Sequence, residues 1–222
     1  MSKARELLEE IKSVVSGKTV DAVFPPFLFV FSNSFFGLNT AVGIALVSAL
    51  ILGVLRLFRK ENWFYALGGF LGVVFASGFA YLTDNAANYF IPTVISSAAI
   101  VLAALTTLVI GKPLAAWVSH LTRGWPLEWF WRQDIKPAYT EVTWLWLLFF
   151  LFRLIIHVVL LVDGDALTLV WVNTILGWPG IITLLIISYI YGIARLKKLK
   201  GPGVEEFIAG KEAPWKGQTR GF

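Results

Sequence analysis

The stretch VTWLWLLFFLFRLIIHVVLLV, residues 142–162, decides the class of this chain. Its length matches the about 20 residues that a helix needs to cross a bilayer, and its one Lys or Arg is Arg153. The whole chain of 222 residues is 57% hydrophobic and 15% charged, with a mean hydropathy of +0.73. Soluble domains carry about 25% charged residues. The composition therefore indicates an integral membrane protein and argues against a soluble domain.

Six apolar runs of spanning length or near it are present, with the stretch above as the fifth. Their approximate limits are 20–36, 40–58, 63–82, 89–110, 142–162 and 166–194. Backbone polar groups must be satisfied within the segment when no water is available, which favours helices in lipid. The sequence thus predicts an all-α fold, a bundle of six transmembrane helices over residues 20–195.

The distribution of Lys and Arg along the chain agrees with six membrane spans. Of the nineteen Lys and Arg residues, eighteen lie before the first run, in the last turn of the second or after it, after the fourth or after the sixth. The other three connections carry only the acidic charges Asp84, Asp163 and Asp165. Because short cytoplasmic loops are enriched in Lys and Arg, both ends of the chain are predicted to be cytoplasmic. The implied location is the bacterial cytoplasmic membrane, with the lipid bilayer as the first partner.

The two ends of the chain have different compositions. Residues 1–19 place apolar side chains on one stripe and charges opposite, which predicts an amphipathic helix. This helix would lie on the cytoplasmic membrane face or pack against another cytoplasmic segment. Residues 196–222 form a cytoplasmic tail, and the Gly, Pro and charge from residue 201 onward predict disorder there.

The long connection 111–141 mixes tryptophans with charges of both signs. That composition is typical of a segment in the headgroup layer. Aromatic residues beside cations also occur on surfaces that stack nucleic-acid bases. Membrane interfaces select the same residues, so no nucleic-acid partner is expected.

The third run carries Gly68, Gly72, Ala76 and Ala80 at four-residue spacing. Small residues on one helical face let two helix backbones approach closely in lipid. The stripe predicts helix packing within the protein, and a homo-oligomer contact through Gly68, Gly72 and Ala76 is the alternative.

The sixth run contains Gly177, Pro179 and Gly180, with Trp178 between them. Proline cannot donate to the helical ladder, and glycine weakens a helix further. A broken sixth helix is therefore predicted. Such breaks occur at transporter sites and also as purely structural kinks.

Arg153 is the most unusual residue of the chain. It lies roughly 13–17 Å from either membrane surface if the fifth run is a helix rising about 1.5 Å per residue. An Arg at that depth costs at least about 2.5–3.5 kcal/mol on insertion scales. His157 lies one turn away on the same face. The pair predicts a polar stripe that faces the bundle interior.

Partners for this stripe are expected at similar depth, namely Asn173, Thr174 and Asn33. The functional interpretation is a site that handles anions or protons. The structural alternative is an Arg that ties the fifth helix to the broken sixth.

Enzymatic chemistry has little support in the sequence. Zero cysteines exclude thiolate catalysis and cysteine-ligated metals. The two histidines lie on different segments, and no zinc, phosphate-loop or nucleophile-elbow motif is present. We therefore predict no catalytic residue, no metal and no cofactor.

Three stretches resemble a bacterial family of six-span proteins, domain of unknown function 3159, common in actinobacteria. They are FIPTVISSAAIVLAALTTLVIGKPL at 90–114, AYTEVTWLWLLFFLFRLIIHVVLLV at 138–162 and LGWPG at 176–180. The resemblance implies six spans, an Arg in the fifth and a Gly-x-Pro break in the sixth. A fainter similarity, through FIPT and WVNTILGWPG, is to the intracellular septation protein A family of envelope-associated membrane proteins. The Trp-rich loop and the amphipathic N-terminus depart from that second family.

Two functional classes follow. One is a small transporter or channel with a polar site inside the bundle. The other is a non-catalytic membrane scaffold, including an envelope- or septation-associated protein, in which the same residues hold helices together.

Overall fold

The computed structural model describes residues 18–60 and 62–222. The amphipathic helix predicted over residues 1–19 lies outside the described residues, apart from its last two positions. The described chain is helical and contains no strand, as the sequence predicts. The α-helices are α1 Lys18–Phe36, α2 Leu38–Phe58, α3 Trp63–Leu82, α4 Ile91–Val109, α5 Leu114–Arg123, α6 Leu127–Phe130, α7 Lys136–Val162, α8 Ala166–Leu176, α9 Trp178–Leu199 and α10 Val204–Ile208. A 3₁₀ helix, Ala86–Phe90, leads directly into α4.

Four of these segments are long and apolar enough to cross a membrane. They are Leu38–Phe58, Ala86–Val109, Lys136–Val162 and Ala166–Leu199. Two shorter apolar helices, Phe24–Phe36 and Ala66–Leu82, lie within α1 and α3. Large apolar side chains are exposed along all of these helices, as lipid contact requires. The chain has the helices of a membrane protein.

The described residues divide into two compact units. Unit 1 comprises the chain up to Ile95 together with Ile156–Pro179. In it α1 packs on α2, α2 on α3, and α8 on α1. Alanines at four-residue spacing on α2 are buried, and small residues there allow close helix packing. The Phe29 ring stacks on the Tyr89 ring with 4.3 Å between centroids.

Unit 2 comprises Ser96–Ile155 and Gly180–Phe222. It contains two hydrophobic clusters. The middle cluster joins α4, α7 and α9 through residues such as Val101, Phe150 and Leu184. The second cluster lies where α7 begins and α9 ends. We call this region the basic end: the start of α7, the end of α9, the connection 110–135 and the segment 201–222.

The segment 201–222 is folded in the structure, where composition predicts disorder. Residues 201–204 are buried, and α10 follows them. The Trp129 indole Nε1 donates to the Pro202 carbonyl at 2.9 Å. The Val204 backbone N–H donates to Gln218 Oε1 at 3.0 Å. The expectation of disorder was wrong because aromatic residues elsewhere in the chain supply a core that the segment alone lacks.

Those aromatic residues belong to the connection that was predicted to lie in the headgroup layer. Trp129 and Phe130 are completely buried and pack with Tyr139 and Ile135 in the basic end. These two side chains fill a protein core, so the headgroup prediction does not hold for them. The connection also contains two helices, α5 and α6, rather than irregular chain.

The small-residue stripe on α3 divides into two halves. Ala76 and Ala80 are buried in the core of unit 1. Gly68 and Gly72 are exposed, and the space beside each Cα is open. Half of the stripe thus packs within the protein, as predicted. The oligomer contact predicted through Gly68, Gly72 and Ala76 stays a prediction, and of these three Ala76 is buried within unit 1.

Candidate functional site

The buried residues of α7 form one stripe along the helix. Its members recur at intervals of three and four residues, the spacing that places side chains on one helical face. They are Ala138, Tyr139, Val142, Thr143, Leu147, Phe150, Arg153 and His157. The opposite face, with Phe152, Ile155 and Val159, is exposed. α7 therefore has one face toward protein and one toward its surroundings.

Arg153 and His157 both belong to the buried face of α7. Arg153 is 8% exposed and His157 is 0% exposed. Each interacts with another group of the chain. The burial of a permanently charged guanidinium is costly unless it is paired and hydrogen-bonded, so its place on the inner face has a structural or functional reason. The role of the pair stays a prediction.

The proposed partners lie on helices of unit 1, as does His157, whereas Arg153 falls in unit 2. Asn173 and Thr174 are half-buried on α8, and Asn33 is half-buried on α1. The Thr174 hydroxyl donates to the Val170 carbonyl of its own helix at 2.7 Å. The Thr174 hydroxyl proton is therefore already engaged in a hydrogen bond within α8.

The sixth apolar run is divided between two helices at Gly177. α8 ends at Leu176 and α9 begins at Trp178. A Cβ at position 177 would overlap the carbonyl oxygen of Asn173, so only glycine fits this bend. Pro179 lies in the first turn of α9, where its missing N–H has no helical partner to lose. Gly177 thus makes the break, and Pro179 starts the next helix.

A second polar cluster connects α7 to α9 at the basic end. The Arg195 guanidinium donates to both carboxylate oxygens of Glu141, with Nη2–Oε1 at 2.7 Å. The Tyr191 hydroxyl donates to Glu141 Oε2 at 2.6 Å. Two turns further along, Trp146 Nε1 donates to Ser188 Oγ at 2.8 Å. These bonds fix the two helices side by side within unit 2.

This cluster was not predicted from the sequence, although one residue pointed to it. Glu141 is the only acidic residue in α7. An acid at the border of an apolar helix needs a cation nearby. The sequence could have identified Glu141 as a polar tie, but not Arg195 as its partner among the many basic residues of the last run.

Asp165, one of the three acids in the loops without Lys or Arg, has a local role. The Asp165 carboxylate accepts from the Thr168 backbone N–H at 2.9 Å and caps α8, and hydrogen bonds from Thr168 lower the pKa of Asp165. Asn85 caps the 3₁₀ helix in the same way. Within residues 18–60 and 62–222, no group of three His, Asp or Glu residues could hold a metal ion.

The class that these observations define is an all-helical membrane protein with a buried Arg and a buried His on one long apolar helix. A family model, Protein of unknown function (DUF3159), matches residues 15–198. The match covers most of the chain, which therefore belongs to this family. No curated protein and no solved structure matches the chain. The fainter similarity to the intracellular septation protein A family stays a prediction.

Proposed function

We propose that the chain is a six-span protein of the bacterial cytoplasmic membrane that works as a small transporter or channel, with Arg153 as the charged residue of an anion site. The observation that carries the proposal is the burial of Arg153 and His157 on one face of α7. A charged side chain kept inside an otherwise apolar helix indicates a place where a polar solute is handled.

Six spans are supported by helix length as well as by charge. α1 has 19 residues and α3 has 20. At about 1.5 Å per residue each rises about 28–30 Å, close to the thickness of a hydrocarbon core. Adding these two helices to the four longer segments places all basic connections on one side. That side is the cytoplasm by the positive-inside rule.

The chemical class of the solute follows from the groups present. Arg is a permanent cation with several donors, and the His imidazole offers one donor and one acceptor when neutral. Such a pair attracts small anions and can pass protons. The break at Gly177 adds a helix end at which backbone groups lack helical partners. Asn173, Thr174 and Asn33 are half-buried polar residues of unit 1, and their part in the site stays a prediction.

Purified protein in liposomes tests the proposal. We expect flux of at least one small anion, from a panel of chloride, nitrate, phosphate and acetate, or of protons reported by an internal pH dye. Arg153→Leu should abolish the flux, and Arg153→Lys should keep part of it because the charge remains. Phe152→Leu is the matched control, since Phe152 is exposed on the same turn. Equal flux through Arg153→Leu and the unaltered chain, with both folded, contradicts the proposal.

A scaffold without transport activity is the second candidate. The observation that favours it is the folded basic end, in which Trp129, Phe130 and Phe222 form a core outside the apolar runs. A scaffold would present such a region to protein partners. In that case Arg153 and His157 hold helices together, and no solute passes.

A further inference from the structure

We propose that residues 201–222 form a clasp that holds the start of α7 against the end of α9, and that release of this clasp lets the two helix ends separate. The segment lies in the same unit as both helix ends. It makes an aromatic contact with α7 and α9, which we call the seat, and a set of hydrogen bonds, which we call the fastenings. Residues 208–214 are exposed, and we call them the arm.

The seat of the clasp is an aromatic contact between two helices. The Phe222 ring stacks on Tyr139 of α7, with 4.3 Å between centroids and 7° between planes. The same ring lies directly against Gly192 of α9, where a Cβ would overlap it. Gly192 is buried in the interior of α9, where a glycine weakens the helix. The ring therefore occupies a place that only glycine leaves open, between one residue of α7 and one of α9.

The fastenings are hydrogen bonds that fold the segment back on itself and onto the protein. The Glu206 carboxylate accepts from the backbone N–H groups of Gly203, Lys216 and Gly217 at 2.9, 2.9 and 3.0 Å. Next to Phe222, the Gly221 N–H donates to the Tyr189 hydroxyl at 3.3 Å. These bonds bring the two halves of the segment together, so that Phe222 reaches its seat.

Two cation–π contacts join the segment to the connection that precedes α7. The Arg132 guanidinium lies over the Trp215 ring at 5.2 Å and over the Phe207 ring at 5.9 Å. Asp134 binds the same guanidinium with Nη2–Oδ2 at 2.7 Å. Arg132 thereby holds two aromatic rings of the segment through cation–π contacts.

The clasp closes over the ion pair that already links the two helices. Tyr139 precedes Glu141 by two residues, and Gly192 precedes Arg195 by three. Phe222 thus contacts α7 and α9 within one turn of the residues that form the Glu141–Arg195 pair. With the clasp open, the ties left at this end would be the partly exposed ion pair, the Trp146–Ser188 bond and the packing of Leu196 in the buried cluster at the start of α7.

We expect the clasp to open at a lower free energy than the buried cluster of the basic end. Residues 208–214 are exposed, so little apolar area holds the arm in place. Segments with few buried contacts open locally at a small fraction of the global unfolding free energy. α7 carries Arg153, and α9 begins at the break next to Gly177. If the proposed function holds, opening of the clasp admits solute from this end.

Cysteine labelling tests whether the segment is docked by Phe222, and the absence of native cysteine removes background labelling. Val204 is 5% exposed in the docked segment. We expect Val204→Cys to react slowly with a maleimide, and Phe222→Ala to speed this reaction at least about tenfold. Gly192→Ala should do the same from the opposite side of the ring. Ile208→Ala, at an exposed apolar residue of the segment, is the matched control and should leave the rate unchanged.

Spin labels on Trp144→Cys and Ile190→Cys report on the separation of the helix ends, since both positions are exposed. We expect a narrow distance distribution in the clasped chain and a broader, longer one with Phe222→Ala. An unchanged distribution in Phe222→Ala, with fast labelling at position 204, would show that the segment undocks without freeing the helices and would overturn the proposal. An unchanged labelling rate in both Phe222→Ala and Gly192→Ala would overturn it as well.

Flux keeps this inference distinct from the proposed function. If liposomes show flux, Phe222→Ala should raise it, whereas Ile208→Ala should not. A flux that Phe222→Ala leaves unchanged overturns the gating part of the inference. Absence of flux in every variant counts against the proposed function alone, because the labelling and distance measurements do not depend on transport.

Discussion

The basic end of unit 2 and the middle of α7 differ in how deeply their charged groups are buried. At the basic end, Glu141 binds Arg195 at 2.7 Å, and the two side chains are 32% and 28% exposed. The Tyr191 hydroxyl donates to the same carboxylate. In the middle of α7, Arg153 is 8% exposed and His157 is 0% exposed. Burial of a cation on an apolar helix is costly, which is why we propose function there.

The largest expected effect comes from removing the core of the basic end. Trp129→Ala deletes a fully buried indole and its bond to Pro202, and should lower the free energy of unfolding by about 3–5 kcal/mol. Trp144→Ala, at a residue 49% exposed, should change it by less than about 1 kcal/mol. Thermal unfolding in detergent measures both. Equal losses would mean that the basic end is not the folded core described here.

The next effect concerns the break at Gly177, between α8 and α9. Gly177→Ala places a Cβ against the Asn173 carbonyl and should cost about 1–3 kcal/mol of unfolding free energy. Gly43→Ala, in a helix with open space beside it, should be neutral or stabilising by up to about 1 kcal/mol. The same unfolding assay applies. A stabilising Gly177→Ala would show that α8 and α9 form one continuous helix.

A smaller effect is expected for the ion pair between α7 and α9. Glu141→Gln keeps the shape of the side chain and removes its charge, at a cost of about 1 kcal/mol, because the pair is only partly shielded. Glu205→Gln, at an exposed acid of α10, is the control and should stay within about 0.5 kcal/mol. Retention of full stability by Glu141→Gln would show that the ion pair does not stabilise the basic end.

The smallest effect is a pH dependence of the segment 201–222. Hydrogen bonds from the backbone N–H of Gly203, and from Lys216 and Gly217, lower the pKa of Glu206, with Lys211 adding a nearby positive charge. A lowered pKa means that the carboxylate stabilises the segment above the ordinary Glu pKa of about 4.3. This stabilisation is lost as the pH falls through the lowered value.

Labelling of Val204→Cys should therefore accelerate as the pH drops below about 4, once the rate is corrected for the reactivity of a free thiol. Glu206→Gln in the same chain should label at a rate with little dependence on pH in this range. Equal acid sensitivity of the two chains would assign the effect to another group.

The fold was predictable from the sequence where a residue pattern is compatible with one local structure only. Apolar runs of about 20 residues gave the long helices, and Gly177 with Pro179 gave the break. The folded segment was not predictable, because its Gly, Pro and charge also describe disordered chain. Its order depends on Trp129 and Tyr139, which are distant in sequence, and on a glycine at position 192 that leaves room for Phe222.

The residues of the candidate site were also only partly predictable from the sequence. Arg153 and His157 were identifiable because a basic residue in an apolar helix is rare and four-residue spacing defines a shared face. Tryptophan was ambiguous, because it suits both a membrane interface and a buried core. Burial separates Trp129 from Trp144, and burial depends on tertiary packing that a single sequence does not encode locally.

Access of water to position 153 tests the proposed site most directly. In liposomes, Arg153→Cys should react with a charged, membrane-impermeant thiol reagent, and a small anion that is transported should slow the reaction. Phe152→Cys, on the exposed face of the same turn, should stay unreactive because lipid covers it. Reaction at position 153 and none at 152 is the result expected of a transport path. Failure of Arg153→Cys to react from either side, in a folded protein, would contradict the path and leave Arg153 as a structural tie in a scaffold.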